Sequence, residues 1–166
     1  MKLRNICKIS HLVYNKSRKR GEWSMKGRYD AVQLAKKVVS LANDNNMYIS
    51  NLQLQKVMYY IQGSFMKKFN YKAFDDEIEC WPYGPVVKRI WSVFNVFGRN
   101  PIRRCQSDLK LSENEQQEIL RILKSKLRMN VWDLVDQTHE ELPWSRANKM
   151  GMTCLRDCDM EEFFCK

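Results

Sequence analysis

The sequence predicts a mainly α-helical (α+β) fold, a single compact domain of about six helices with a small two-stranded β element. Apolar residues recur at helical spacing through residues 30–43 and 51–69. Capping boxes, in which a Ser is followed three residues later by Gln or Glu, begin at Ser50 and Ser112. A short alternating segment around Ile78 leads into a turn rich in Pro and Gly, which is typical of a strand that ends in a tight turn.

The first two helices follow from the distribution of their apolar residues. In residues 30–43, Ala, Leu and Val occupy one face and Lys36, Lys37 and Ser40 the other, which indicates a surface helix with one buried face. The helix that begins after Ser50 carries apolar and aromatic residues around almost its whole circumference. We therefore expect it to lie at the centre of the domain, surrounded by the other elements.

The middle of the chain predicts a strand, a shaped turn and a third helix. Residues 77–81 alternate, and we expect this strand to pair with residues 101–110. The next segment, residues 81–87, holds two prolines, one glycine and two large aromatic residues. Since proline fixes φ and glycine reaches backbone angles closed to other residues, Gly84-Pro85 predicts a hinge followed by the first position of a helix. Gly98 is expected to end that helix.

The C-terminal part predicts three further helices. The capping box at Ser112 opens the first, and Asn130 is expected to cap the second. Residues 142–145 then interrupt the chain, because Pro143 disfavours the helical conformation of the residue before it. Residues 159–164 predict the last short helix.

The basic charge of the chain is concentrated at its N-terminus. The net charge is +10, and residues 1–28 hold nine basic residues and one acidic residue, whereas residues 29–166 are nearly neutral. We therefore divide the chain into a basic, disordered tail (residues 1–28) and a folded domain (residues 29–166). Met25 directly precedes the helical pattern and is an alternative start of translation. Basic tails are attracted to phosphates and acidic surfaces.

The composition bears on the cellular compartment. The chain has no run of about 18 apolar residues that would span a membrane, and its N-terminus lacks the apolar region of a secretory signal. Without an export signal, the six cysteines are expected to be reduced thiols. The sequence therefore predicts a cytoplasmic protein without membrane contact.

Candidate chemistry is sparse. The nearest metal-ligand spacing is Cys154-x-x-x-Cys158 with Cys165 and His139, which supplies only one close pair and does not predict a zinc site. His139 stands in a charged helix end and is interpreted as a capping or surface residue. No phosphate loop, dinucleotide-binding glycine motif or serine elbow is present. We expect no cofactor and no enzymatic activity.

Three stretches of the chain resemble the Panacea domain, the family of SocA-like antitoxins found in bacterial and phage toxin-antitoxin loci. They are ISNLQLQKVMYYIQG at 49–63, FDDEIECWPYGPVV at 74–87 and THEELPW at 138–144. Their order and separation also resemble those of the family, and the similarity covers roughly residues 29–164. The resemblance assigns the domain of residues 29–166 to this family.

The resemblance implies an antitoxin that neutralises a cognate protein toxin, either by direct binding or as an adaptor that delivers the toxin to an ATP-dependent protease. Aromatic and Arg residues dominate interface energetics where they are exposed. The candidate partner-binding residues are Tyr83, Lys88, Arg89, Trp91 and Trp144. The candidate scaffold residues of the motifs are Trp81, Gly84, Pro85, Leu54, Lys56 and Tyr60.

Two alternatives stay open. The first is a nucleic-acid-binding regulator that makes weak phosphate contacts through Lys16, Arg18, Lys19 and Arg20 of the tail. The second is a Cys-dependent or metal-assisted hydrolase, which requires Cys154, Cys158 and His139 to converge.

Overall fold

The structure, a computed structural model, describes residues 26–103 and 105–166. Its elements, in chain order, are α1 (Ala31–Asp44), α2 (Asn51–Phe69), β1 (Glu79–Trp81), β2 (Gly84–Val86), α3 (Lys88–Phe94), a 3-10 turn (Asn95–Phe97), α4 (Glu113–Lys126), α5 (Val131–Glu140), α6 (Leu142–Lys149) and α7 (Asp157–Phe164). This confirms the mainly α class with a small two-stranded sheet. The predictions for the basic tail, including Lys16, Arg18, Lys19, Arg20 and Met25, lie outside the described residues.

Helix α2 is the centre of the domain, as its apolar circumference predicts. It contacts α1, α3, α4, α5, α7 and β2, and an unbroken run of its residues from Leu54 to Met66 is buried. The Ser50 capping box forms: the Ser50 hydroxyl accepts from the Gln53 amide N–H, and the Gln53 side chain accepts from the Ser50 amide at 3.0 Å. Asn70 ends the helix in the left-handed conformation.

The contact between α2 and α7 depends on the absence of a side chain at Gly63. A Cβ built there would lie 2.3 Å from ring atoms of Phe164. That ring also packs edge to face against Tyr59 and Tyr60, with centroid distances of 5.3 and 6.2 Å. Gly63 therefore allows α7 to approach α2 closely, and the aromatic neighbours restrict any movement of the ring.

Gly63→Ala is expected to lower the free energy of unfolding by about 1–2 kcal/mol, although alanine alone favours the helix by about 1 kcal/mol. The reason is the overlap of the added methyl group with Phe164. Urea denaturation measures the free energy of unfolding of four proteins: native, Gly63→Ala, Phe164→Ala and the double variant. In the Phe164→Ala background Gly63→Ala should no longer destabilise, and the same loss in both backgrounds would contradict the proposed overlap.

The β element forms within the predicted turn and not with the predicted partner. β1 and β2 are antiparallel, with Glu79 opposite Val86 and Trp81 opposite Gly84. The expected pairing with residues 101–110 is wrong, because the Ile102 amide donates to the Ile49 carbonyl at 2.8 Å instead. A hairpin closed by two residues costs less loop-closure entropy than a distant strand pair.

Pro85 is a second correction, because it lies in β2 and helix α3 begins three residues later at Lys88. Gly84 adopts a φ of 96°, so the predicted hinge forms but returns the chain as a strand. The backbone amide of Val87, between β2 and α3, donates to the side-chain oxygen of Gln55 on α2 at 3.0 Å. That bond fixes the start of α3 against the central helix.

The C-terminal part contains one helix more than the sequence predicts. The capping box at Ser112 and the Asn130 cap, which accepts from the Trp132 amide at 2.9 Å, are confirmed. The expected interruption at residues 142–145 is wrong, because Pro143 lies in the first turn of α6. A proline is tolerated there since the first amide groups of a helix have no partner inside it. None of the helices in residues 26–103 and 105–166 combines the length and the apolar composition that a membrane span requires.

Candidate partner-binding surface

Two aromatic pairs flank the hairpin, and together we call them the aromatic surface: the partly buried Trp81 with Trp91 of α3, and Tyr83 with Trp132 of α5. Tyr83 is 61% exposed, Trp132 54% and Trp91 38%. The rings form two pairs, with centroids 5.8 Å apart for Tyr83 and Trp132 and 5.3 Å apart for Trp81 and Trp91. Large exposed aromatic groups of this kind are typical of a surface that another molecule covers.

Hydrogen bonds hold the aromatic surface on its scaffold. The Trp81 indole N–H donates to the Glu79 carboxylate at 2.6 Å, and the Trp144 indole N–H donates to the Trp81 carbonyl at 3.1 Å. The Cys80 amide donates to the Thr153 carbonyl at 2.8 Å, which ties β1 to the segment after α6. The hairpin is therefore fixed before any partner arrives.

The candidate partner-binding residues occupy different environments. Tyr83, Lys88 and Trp91 are exposed on the hairpin and α3. Arg89 binds carboxylates of its own chain, Asp30 at 2.7 Å and Asp76 at 2.9 Å, and so connects the start of α1 to the loop before β1.

Trp144 is 8% exposed and stacks on His139 with a centroid distance of 3.8 Å. Trp144 therefore supports the hairpin from behind. Of the two roles expected for it, partner contact and shaping of the surface, its burial favours the second. Sequence reasoning missed Trp132. The available signal was its position on α5, outside the stripe that contains the buried Leu134 and Val135.

The three motif stretches meet behind the hairpin. Lys56 of α2 is fully buried and its Nζ donates to the Pro85 carbonyl at 3.2 Å. Because burial disfavours the ammonium form, the pKa of Lys56 falls to about 7. Gly84 lies directly against this side chain, and a Cβ on it would be 2.7 Å from both Lys56 Cε and Thr138 Oγ1. Three of the candidate scaffold residues, Lys56, Gly84 and Pro85, are therefore brought together in this packing.

A second buried polar contact links α2 to the junction between α5 and α6. The Tyr60 hydroxyl donates to the Glu141 carboxylate at 2.8 Å, and the Gln137 amide donates to the same oxygen at 3.0 Å. Burial raises the pKa of Glu141. In sequence, His139 lies between Thr138, which is close to Gly84, and Glu141, which accepts from Tyr60. His139 is half-buried, and this corrects its interpretation as a surface residue. Its pKa is lowered by burial and by the nearby Lys56 ammonium group.

The residues proposed for hydrolase chemistry occupy unrelated surroundings. Cys154 Sγ donates to the Glu77 carboxylate at 3.4 Å, whereas Cys158 is exposed on α7 and His139 stacks on Trp144. Burial raises the pKa of the Cys154 thiol, away from the thiolate that a nucleophile needs. In residues 26–103 and 105–166, no group of three or more His, Cys, Asp or Glu residues is arranged to hold a metal ion.

Comparison with known proteins places these motifs in one family. A family model described as "Antitoxin SocA-like, Panacea domain" matches residues 54–145, more than half of the chain. No curated protein and no solved structure matches the chain. The matched range contains the buried Lys56, the Gly84 hinge and the α5 residues that pack on them. The chain belongs to the SocA-like antitoxin family with a Panacea domain.

Proposed function

We propose that this antitoxin neutralises a cognate protein toxin by direct contact, and that the toxin binds the aromatic surface. The family supports a general antitoxin role. The observation that carries the finer proposal is the exposure of Tyr83, Trp91 and Trp132 on a hairpin and two helices that are already fixed. Aromatic residues of this kind supply large contact areas, and a rigid scaffold limits the entropy lost on binding.

The surroundings of the cysteines and of His139 also support a binding role without catalysis. Burial raises the pKa of the Cys80 and Cys154 thiols, and the His139 ring stacks on Trp144. In this proposal the toxin is inhibited by binding to a preformed surface alone. Direct neutralisation should therefore be observed with the two purified proteins, whereas an adaptor also requires an ATP-dependent protease.

The first experiment is co-expression of the protein encoded beside this chain, alone and together with the antitoxin, followed by growth measurement. Native antitoxin should restore growth. Purified proteins without protease then distinguish the mechanisms: direct binding inhibits the toxin, and an adaptor alone leaves the toxin active.

Tyr83→Asp is expected to weaken toxin binding by about tenfold or more, because it removes an exposed ring of the aromatic surface and places a charge beside Trp132. Isothermal calorimetry measures the dissociation constant. Tyr48→Asp is the matched control, since Tyr48 is 65% exposed, lies in the loop between α1 and α2, and is outside the aromatic surface. If Tyr83→Asp and Trp132→Asp bind as tightly as the native protein, the toxin binds elsewhere.

A further inference from the structure

A cleft with only basic charge lies between the loop that joins α1 to α2 and the C-terminal end of α4. Its volume is about 540 Å³, and its polar lining comprises Asn45, Asn46, Tyr48, Lys124 and Arg128. We call it the basic cleft. A volume of this size accommodates a small ligand or one unit of a polymer.

The charge of the basic cleft is not neutralised by the described residues. Neither Lys124 nor Arg128 forms an ion pair with a carboxylate in residues 26–103 and 105–166. Three other clefts of the domain contain carboxylates beside their basic side chains, among them Asp157, Asp76 and Glu118. The basic cleft therefore attracts anions where the others do not.

Tyr48 adds a stacking surface to these charges. It is 65% exposed although its ring is large and apolar, and the guanidinium carbon of Arg103 lies 5.3 Å from the ring centre. This cation–π contact restrains the ring and adds a further positive charge at the edge of the cleft. An exposed ring beside several cations has the two features by which proteins hold unpaired bases and their phosphates.

We propose that the basic cleft binds single-stranded nucleic acid, with one base stacked on Tyr48 and the adjacent phosphates held by Lys124 and Arg128. Stacking uses the π face that every base shares, so the site reads little sequence. The phosphate contacts make binding depend on salt. This activity is separate from toxin neutralisation and uses the folded domain.

The stacking contact is tested with the full chain and a short labelled oligouridylate, by fluorescence anisotropy. Tyr48→Ala should weaken binding by about tenfold, because one base loses the ring on which it stacks. Tyr48→Phe keeps the ring and should bind like the native protein. Phe163→Ala removes an exposed aromatic ring that lies outside both the cleft and the aromatic surface, and it should also bind like the native protein.

The phosphate contacts are tested by the salt dependence of the same binding. The double variant Lys124→Gln with Arg128→Gln should reduce the slope of log affinity against log salt by about 1.4, because each phosphate contact on a single strand contributes about 0.7. Lys110→Gln with Lys149→Gln removes the same formal charge from two exposed positions outside the cleft. Its slope should stay close to the native value.

Three results would overturn the proposal. The first is that the native chain does not bind the oligouridylate at low salt. The second is equal binding by native and Tyr48→Ala proteins, which would place the contact outside the cleft. The third is an equal loss of duplex and oligouridylate binding in Tyr48→Ala, because the paired bases of a duplex are not available to stack on Tyr48. Because the altered side chains are exposed, far-ultraviolet circular dichroism should show an unchanged fold in each variant.

Discussion

Gly84→Val is expected to lower the free energy of unfolding by about 3 kcal/mol or more, through two separate costs. Gly84 has a φ of 96°, which a β-branched residue rarely adopts. In addition, a Cβ at this position would lie 2.7 Å from Lys56 Cε and from Thr138 Oγ1. Both neighbours belong to helices packed in the core, so neither moves without disturbing α2 or α5.

Urea denaturation followed by tryptophan fluorescence measures the Gly84→Val loss, and Gly151→Val is its matched control. Gly151 also has a positive φ, 63°, but a Cβ there meets no atom within 4 Å. The control therefore carries the backbone cost alone, and Gly84→Val should destabilise the protein by clearly more. Equal losses would show that the contact with Lys56 and Thr138 contributes nothing, and an unchanged midpoint for Gly84→Val would contradict both costs.

The fold was predictable where the determinants are local in sequence. Both capping boxes, at Ser50 and Ser112, form as predicted because each bond joins residues three positions apart. The central position of α2 follows from apolar residues on all its faces, since such a helix has no side that tolerates water. These features need no knowledge of the rest of the chain.

The predictions of local structure were wrong where one residue suits two different local structures. Pro85 suits the first turn of a helix, but a two-residue hairpin closed at Pro82-Tyr83 places it in β2 instead. Pro143 was interpreted as an interruption and lies in the first turn of α6. In both cases the tertiary contacts of the chain decide, because the intrinsic preference of proline fits a turn and a helix start equally well.

The candidate site was predicted in part. The sequence indicated that Tyr83 and Trp91 belong to an unusual turn and its adjacent helix, and both are exposed. It did not indicate Trp132, which reaches the same patch from α5, because proximity between distant residues is not encoded in local pattern. Lys56 was expected to be scaffold, but no pattern in the sequence indicates that its ammonium group is fully buried.

The burial of Lys56 makes the stability of the domain depend on pH above neutrality. Its pKa is about 7 in the folded protein and 10.5 in the unfolded reference. Between these values the unfolded chain holds the proton more firmly than the folded protein, so folding releases it and the free energy of unfolding rises with pH. Below pH 7 both states are protonated, and the full cost of burying the charge is present.

Lys56→Met removes this dependence while retaining an unbranched side chain of similar length. The difference in unfolding free energy between Lys56→Met and the native protein should fall by about 2 kcal/mol between pH 7 and pH 9, because the native protein gains stability as Lys56 loses its proton. Groups that do not contact Lys56 are common to both proteins, and their contributions cancel in the difference.

Urea denaturation at several pH values between 7 and 9 measures this difference, with Lys110→Met as the control because Lys110 is exposed. Native and Lys110→Met proteins should follow parallel curves, and Lys56→Met should diverge from both. Parallel curves for Lys56→Met would mean that water reaches the ammonium group behind the hairpin. That result would also weaken the case for Gly84, since a hairpin that admits water there does not press Gly84 against Lys56.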